Sequence, residues 1–216
     1  MKGQSIAQQR KRRIQLTVLT IFGILLIIGI VLGAMRLYSQ NVKTDKVEDR
    51  ADVVQAPVKG DKNAKVQIIA FTDFRCIHCR NFHKDMENQI QSYIDDGDVS
   101  YRNIQHPVIG DSSEKFAFMA DGLAKYATDD DYWKFSDLAY EHFEEQNPVK
   151  ILDKTHITKD KRDKVMDYYN KHQSDDYDKS KNKGLGVEVT PTIFINNHNV
   201  GDASKLEEQV KERVYK

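Results

Sequence analysis

The 216-residue chain contains two cysteines, Cys76 and Cys79, with only two residues between them. The apolar run at residues 66–71 just before the pair predicts a buried strand. The apolar positions after it recur at close to helical spacing: Ile77, Phe82, Met86, Ile90 and Ile94. We therefore expect Cys76 at the N-terminus of a helix and Cys79 one turn further along the same face. Two sulfur atoms placed in this way could form and break a disulfide with little movement of the backbone.

The first cysteine of the pair is the better candidate for a reactive thiolate. Unpaired N–H groups and the positive end of the helix dipole favour negative charge at a helix N-terminus, which is where Cys76 is expected. His78, when protonated, would add a second positive charge nearby. The thiolate is the form of cysteine that attacks a disulfide, so this motif could carry out thiol-disulfide exchange.

The residues of the motif leave two other interpretations open. A zinc site could use both cysteines with His78 or His83, but structural zinc usually needs four ligands, and the sequence has no second cysteine pair. A purely structural disulfide is also conceivable, although a bridge across so short a loop adds little stability. A C-x-x-C motif beside a strand and a helix favours redox chemistry over both.

A second stretch far along the chain, residues 186–196, predicts a strand that begins at Thr190-Pro191. Proline removes a hydrogen-bond donor from a strand, so it is tolerated mainly at an edge or a start, or where a cis bond has a function.

A C-x-x-C at a strand–helix junction, followed much later by Thr-Pro-Thr and an apolar strand, resembles the thioredoxin superfamily. Residues 71–82, His106-Pro107 and residues 183–196 are similar to the DsbA family of extracytoplasmic thiol-disulfide oxidoreductases, in the membrane-tethered, BdbD-like form found in Gram-positive bacteria. The resemblance covers the chain from about residue 57 to the C-terminus. It implies an α/β fold, the thioredoxin fold with a helical insertion at about residues 111–183.

The resemblance also implies a role for each residue of the site. A substrate thiolate would attack Cys76, Cys79 would resolve the mixed disulfide, and His78 would stabilise the Cys76 thiolate. Pro191, in the cis form, would place the Thr190 backbone where an extended substrate can pair with it. No cofactor and no metal ion are implied beyond the redox-active cysteine pair. Asp73 matches an acidic position common in the family, and Ile77 stands where many members have proline, which leaves the redox potential open.

The implied function is the introduction of disulfides into exported thiol-containing proteins, with a quinone-linked, DsbB-like membrane oxidase as a possible partner. Two alternatives are a reductase or isomerase of exported disulfides, and a thioredoxin-fold binding or chaperone module. The 33 basic and 33 acidic residues balance, so no basic excess indicates nucleic-acid binding. We expect a monomeric catalytic domain. Acidic runs such as residues 129–131 indicate solvated helix caps rather than a calcium site, which is the weaker interpretation.

The N-terminus predicts attachment to a membrane. Residues 1–13 are basic, and residues 14–35 are almost free of charge and long enough to span a bilayer as a helix. The basic cluster predicts that residues 1–13 stay in the cytoplasm and that the catalytic domain lies on the extracytoplasmic face. A cleaved signal peptide is the alternative, although its apolar part would usually be shorter. Residues 36–56 are charged and predict a tether, followed by the catalytic domain at residues 57–216.

The remaining elements follow from periodicity. Residues 99–105 predict a second strand, which would pair in parallel with the first across the helix between them. Residues 111–183 show helical spacing and no strand pattern, and residues 175–185 predict the last of these helices. Residues 192–195 and Val200 predict a hairpin with its turn at residues 196–199, and a last helix follows from residue 206.

Overall fold

The computed structural model describes residues 19, 20, 23, 24, 27, 29, 47, 48, 50, 51, 54–182 and 184–216. The chain forms two units, residues 1–42 and residues 43–216. The described residues of the first unit are helical, whereas the predicted cytoplasmic tail and most of the predicted membrane segment lie outside the described residues. Within the described part of the chain, no helix is both long enough and apolar enough to cross a membrane.

The second unit is built on a mixed sheet of five strands in the order β1-β3-β2-β4-β5. The strands are β1 Val58–Gly60, β2 Val66–Thr72, β3 Val99–Gln105, β4 Thr192–Ile195 and β5 His198–Asn199. β2 and β3 are parallel, while β1 pairs with β3, β4 with β2 and β5 with β4 in the antiparallel sense. The parallel pair confirms the predicted strand–helix–strand unit. The predicted turn at residues 196–199 is too long, because β5 already begins at His198.

Within the described part of residues 54–216, six α-helices surround the sheet: α1 Ile77–Asp95, α2 Asp111–Tyr126, α3 Asp129–Glu141, α4 Pro148–Thr155, α5 Lys159–His172 and α6 Leu206–Val214. Helices α2 to α5 lie between β3 and β4 in the chain and form the predicted helical insertion. The predicted helix at residues 175–185 is wrong, since only a short 3-10 helix, Lys179–Asn182, forms there. The Tyr177 hydroxyl donates to Asp121 of α2 at 3.0 Å, and this contact holds the segment in an irregular path.

Both faces of the central strand β2 are buried. Ile68 and Ala70 belong to the larger core cluster, which contains Met86 and Ile90 of α1, whereas Ile69 and Phe71 belong to a second cluster with Phe194. A strand covered on both faces is expected to be apolar at every position, not only at alternate ones. This explains the mainly apolar run from which the strand was predicted, in which Gln67 is the one polar residue, and it fixes the end of β2 next to the cysteine motif.

Part of the predicted tether packs onto the sheet. Val47 and Ala51 are fully buried in the second core cluster, and the Glu48 backbone N–H donates to the Asn197 side chain at 3.1 Å. The packed domain therefore includes residues before 57. Val47, Ala51 and Val54 recur at helical spacing, but the charged residues around them conceal this apolar face in the sequence.

Candidate active site

The two cysteines lie at the start of α1, directly after the end of β2. Cys76 is the N-cap residue of the helix, with extended backbone angles, and its carbonyl oxygen accepts the N–H of Arg80 at 3.1 Å. The Cys76 N–H donates to the carbonyl of Asp73 at 3.0 Å, which closes the turn between strand and helix. Phe74 anchors this turn in the helical insertion, with its ring centroid 5.7 Å from that of Phe135 and 5.2 Å from that of Tyr140.

The two thiols differ in burial, and both are free in this structure. Cys76 is 6% exposed and Cys79 is 0% exposed. The first cysteine is thus less exposed than the sequence suggests, yet it remains the more accessible of the two. An incoming thiolate or disulfide therefore reaches Cys76 before it could reach Cys79.

The two thiols also differ strongly in acidity. A hydrogen bond from the Cys79 thiol lowers the pKa of Cys76 to about 5, against the opposing effect of burial, and the Thr190 side chain and the backbone N–H groups of Cys79 and His78 lower it further. Burial raises the pKa of the Cys79 thiol far above its ordinary value. At neutral pH the reduced site therefore holds one thiolate, at Cys76, stabilised by one neutral thiol, at Cys79.

The loop before β4 completes the site from the other end of the chain. The Thr190–Pro191 peptide bond is cis, the expected isomer, and the carbonyl oxygen of Thr190 lies 3.4 Å from the Sγ atom of Cys76. Thr190 is 9% exposed. The structure thus brings together Cys76, Cys79, Thr190 and Pro191, the four residues for which the family resemblance implies a common site.

His78 lies at the same end of α1, and its side chain is exposed. Its backbone N–H is one of the groups that lower the pKa of Cys76. A shallow groove beside α1 is lined by His78, Phe82, Pro191 and Ser204, among others. His78 and Pro191 therefore border the same groove along α1.

Asp73, whose role the sequence does not indicate, is a buried hydrogen-bond acceptor next to the cysteine motif. Its side chain is 1% exposed, and its carboxylate accepts three backbone N–H groups: that of Arg75 at 2.8 Å, that of Val108 at 2.8 Å and that of Ile109 at 3.1 Å. Its own N–H donates to the Cys79 Sγ atom at 3.5 Å. The proximity of Asp73 to the cysteine motif was a signal in the sequence, but nothing in the pattern indicated residues 108 and 109 as its partners.

Four exposed apolar side chains flank the cysteine motif in the structure. Ile77 is 47% exposed, Val108 45%, Ile109 60% and Val189 67%. Ile77 follows Cys76, Val189 precedes Thr190, and the Asp73 carboxylate holds the backbone of the other two. Single exposed apolar residues are common, but a group of them around a reactive sulfur indicates a surface that contacts apolar partners.

Two buried tyrosines surround Cys79. Burial raises the pKa of Tyr101 and Tyr140 well above the ordinary value, and the charge of a Cys79 thiolate would raise both further. Both phenols therefore stay neutral. Tyr140 comes from the helical insertion, and the sequence contained no signal for its position beside the active-site helix.

The residues of the zinc interpretation are separated in the structure. The Nε2 atom of His83 lies 2.9 Å from a carboxylate oxygen of Asp137, and the His78 side chain points to solvent. In the part of the chain that the structure describes, no group of three or more His, Cys, Asp and Glu residues could hold a metal ion.

Comparison with known proteins agrees with this geometry. The family model described as Thioredoxin matches residues 52–212, about three quarters of the chain, and the chain therefore belongs to this family. Disulfide bond formation protein D of Bacillus subtilis (strain 168) is 25% identical over 184 residues, which is 79% of this chain and 82% of that protein. The probable disulfide bond formation protein D of Bacillus cereus is 28% identical over 179 residues, 77% of this chain and 82% of that protein.

A solved structure is also similar to this chain in sequence and in fold. The thiol-disulfide exchange protein alpha-DsbA2 from Wolbachia pipientis is 25% identical, with a TM-score of 0.60, and the match covers 80% of this chain and 96% of that one. These relatives and the cysteine pair at the start of α1 confirm the predicted family: the protein is a DsbA-like protein-disulfide oxidoreductase.

Proposed function

We propose that the protein is an extracytoplasmic oxidase, which introduces disulfides into exported proteins through Cys76 and Cys79. The observation that carries this proposal is the difference between the two thiols: Cys76 caps the N-terminus of α1 and is the more accessible, with its pKa lowered to about 5, whereas Cys79 is fully buried. A stabilised thiolate favours the reduced enzyme, and an enzyme whose reduced form is favoured is a strong oxidant of other thiols.

The exchange involves two protein sulfurs and two substrate sulfurs. In the oxidised enzyme, a substrate thiolate attacks the Cys76 sulfur, the Cys76–Cys79 bond breaks, and Cys79 leaves as a thiolate that takes up a proton. A second substrate thiolate then attacks the substrate sulfur of the mixed disulfide and releases the Cys76 thiolate. The substrate loses two electrons and two protons and gains one disulfide. If no second substrate thiolate reacts with the mixed disulfide, the Cys79 thiolate attacks the Cys76 sulfur, re-forms the Cys76–Cys79 disulfide and releases the substrate thiolate unchanged.

The surroundings of Cys76 suit an extended polypeptide as the substrate. The Thr190 backbone next to the reactive sulfur offers hydrogen-bonding groups to a strand-like segment, a common mode of peptide recognition. The exposed side chains of Ile77, Val108, Ile109 and Val189 would contact apolar residues on either side of the substrate cysteine. Partly unfolded exported proteins present such segments.

The location of the enzyme is part of the same proposal. Residues 1–13 would stay in the cytoplasm, residues 14–35 would cross the membrane, and the catalytic domain would face the exterior, where disulfides persist. A quinone-linked, DsbB-like membrane oxidase would then restore the Cys76–Cys79 disulfide after each cycle. A reductase or isomerase acting on exported disulfides is the second candidate, and Ile77 between the cysteines leaves it open, because the two intervening residues tune the potential.

A redox titration of the Cys76–Cys79 pair against glutathione tests whether the enzyme acts as an oxidase or as a reductase. Known members of this fold span from about −270 mV for thioredoxin, a reductant, to about −120 mV for strong oxidants. We expect a potential at the oxidising end of that range. A value near that of thioredoxin would overturn the oxidase and favour the reductase.

A further inference from the structure

We propose that Asp73 is a positioning residue: its buried carboxylate fixes the backbone of Val108 and Ile109 against the turn that leads to Cys76, so that their side chains form a docking surface for apolar residues next to the substrate cysteine. This inference rests on the proposed function, because it assumes that Cys76 exchanges with protein thiols.

The first step of the argument is the geometry of the carboxylate. Its Oδ2 atom accepts the N–H groups of Val108 at 2.8 Å and Ile109 at 3.1 Å, and its Oδ1 atom accepts that of Arg75 at 2.8 Å. The carbonyl of the same residue accepts the Cys76 N–H at 3.0 Å. One residue therefore connects the turn that carries the reactive sulfur to a segment more than 30 positions away.

The second step is how the segment between β3 and α2 is held. The side chains of Val108 and Ile109 are 45% and 60% exposed, so packing restrains them weakly. Gly110, which follows them, has a φ of 124°, and no atom would lie within 4 Å of a Cβ atom placed there. Each backbone amide has a single N–H, and Asp73 accepts both of them. The segment begins at His106, whose N–H donates to the Thr72 carbonyl at 2.7 Å, and the Asp73 carboxylate is the restraint that acts directly on the backbone of Val108 and Ile109.

The third step is the chemistry of the acceptor. A carboxylate accepts hydrogen bonds at both oxygen atoms, whereas an amide accepts at one and donates at the other. The substitution Asp73→Asn keeps the shape of the side chain, but its NH2 group must face either the Arg75 N–H or the Val108 and Ile109 N–H groups. An NH2 group and a backbone N–H that face each other are both donors and cannot form a hydrogen bond. The substitution therefore removes the hydrogen bond to Arg75 or those to Val108 and Ile109.

The test uses the oxidised full-length chain and three thiol probes. These are a short peptide whose single cysteine is flanked by leucines, the same peptide with serines in place of the leucines, and reduced glutathione. We expect the wild-type chain to react about tenfold faster with the leucine peptide than with the serine peptide, since partial burial of apolar side chains contributes about that factor. In Asp73→Asn this preference should fall to about twofold or less. An unchanged preference would overturn the inference.

Two further variants show whether Asp73 influences the leucine preference through Val108 and Ile109. The double substitution Val108→Ser with Ile109→Ser should lower the leucine preference to about twofold or less, as Asp73→Asn does, and combining it with Asp73→Asn should add nothing further. Additive losses would mean that Asp73 acts on substrates by another route. Tyr215→Ser, which removes an exposed aromatic ring at the end of α6, is the control and should leave the preference unchanged.

Hydrogen exchange keeps the inference testable if Asp73→Asn does not fold. The Val108 and Ile109 amides of the wild-type chain should be protected although their side chains are exposed, and exchange at the rate of a free loop would overturn the inference. The glutathione reaction separates this failure from that of the proposed function. A wild-type chain that exchanges with neither glutathione nor the peptides contradicts the proposed function, whereas one that exchanges with all three at equal rates contradicts only the docking surface.

Discussion

The Sγ atom of Cys76 lies 3.4 Å from the carbonyl oxygen of Thr190, although 114 positions separate the two residues in the chain. The sheet makes this contact: β2 leads to Cys76, β4 follows Thr190, and the two strands pair antiparallel with Phe71 opposite Thr192. The end of β2 and the start of β4 therefore lie side by side at the same end of the sheet. A substrate that reacts at Cys76 finds backbone hydrogen-bonding groups within reach of the reacting sulfur.

The first prediction concerns the roles of the two sulfurs. In Cys79→Ala the Cys76 thiolate can attack the disulfide of an oxidised substrate and release one substrate thiolate, and the resulting mixed disulfides should accumulate, because the thiol that would resolve them is gone. Cys76→Ala should accumulate at least about tenfold fewer, because Cys79 is fully buried and its pKa is raised. Mass spectrometry of adducts trapped with acid measures both, and the double alanine variant is the control. Equal trapping by the two single variants would contradict the assignment.

The strands and the active-site helix could be predicted because their patterns are local. The run at residues 66–71 and the helical spacing after Cys79 led to β2 and α1, and the proline at residue 191 marked the start of β4. The helix predicted at residues 175–185 failed because long-range contacts decide that segment, among them the hydrogen bond from Tyr177 to Asp121. The spacing of residues along the chain holds no information about such a contact.

The candidate site shows the same limit. Cys76, Cys79, Thr190 and Pro191 carry recognisable motifs, and the structure brings them together. The contact of Asp73 with Val108 and Ile109 joins a turn to a segment beyond β3, and the position of Tyr140 beside α1 depends on how the insertion packs. Both arise from tertiary structure between segments whose separate patterns do not refer to one another.

A second prediction concerns the membrane. The apolar segment at residues 14–35 is long enough to span a bilayer, so the mature chain should sediment with membranes and resist extraction by alkaline carbonate. The basic cluster at residues 1–13 should keep the N-terminus inside, so protease added to intact spheroplasts should digest the catalytic domain and spare an N-terminal tag. A soluble mature chain that begins near residue 34 would instead show a cleaved signal peptide.

A third prediction concerns the aromatic anchor of the turn. Phe74 is 1% exposed and packs its ring against those of Phe116, Phe135 and Tyr140. Phe74→Ala should lower the free energy of unfolding by about 3–5 kcal/mol through the cavity that it leaves. Ile77→Ala, at a 47% exposed position nearby, should change it by less than about 0.5 kcal/mol. Denaturant unfolding of both variants measures the difference, and similar losses would show that Phe74 is not an anchor.

A fourth prediction separates the His78 side chain from its backbone. The backbone N–H lowers the pKa of Cys76 whatever the side chain is, whereas an imidazolium exposed to solvent acts through a screened charge. His78→Ala should therefore raise the pKa of Cys76, by about half a unit or less, and most of the lowering should remain. The ultraviolet absorbance of the thiolate, followed against pH, gives this value. His78→Lys is the matched control, since it restores a positive charge and should bring the pKa back down.

The last prediction connects the charge of the reduced site to stability. The folded pKa of Cys76, about 5, lies below the roughly 8.5 of a free cysteine, so ionisation of this thiol stabilises the reduced folded chain. This contribution is complete above the unfolded pKa and is lost as the pH falls through the folded one. At about pH 7 it amounts to about 2–3 kcal/mol. Above roughly pH 8.5 the raised pKa of Cys79 opposes it, because that thiol ionises only in the unfolded chain.

The oxidised chain has no thiolate at this site but gains about 2 kcal/mol from the entropy of its short disulfide loop. The reduced chain should therefore melt at the higher temperature near neutral pH, by the largest margin near pH 8 to 8.5 or so, and the order should reverse below about pH 6. Thermal melts of both forms across this range test it, and Cys76→Ala in the reduced state should remove the gain in stability that the Cys76 thiolate provides between about pH 5 and pH 8.5. If the oxidised form is more stable from neutral pH upward, the thiolate is not stabilised enough to drive oxidation, and the reductase becomes the better account.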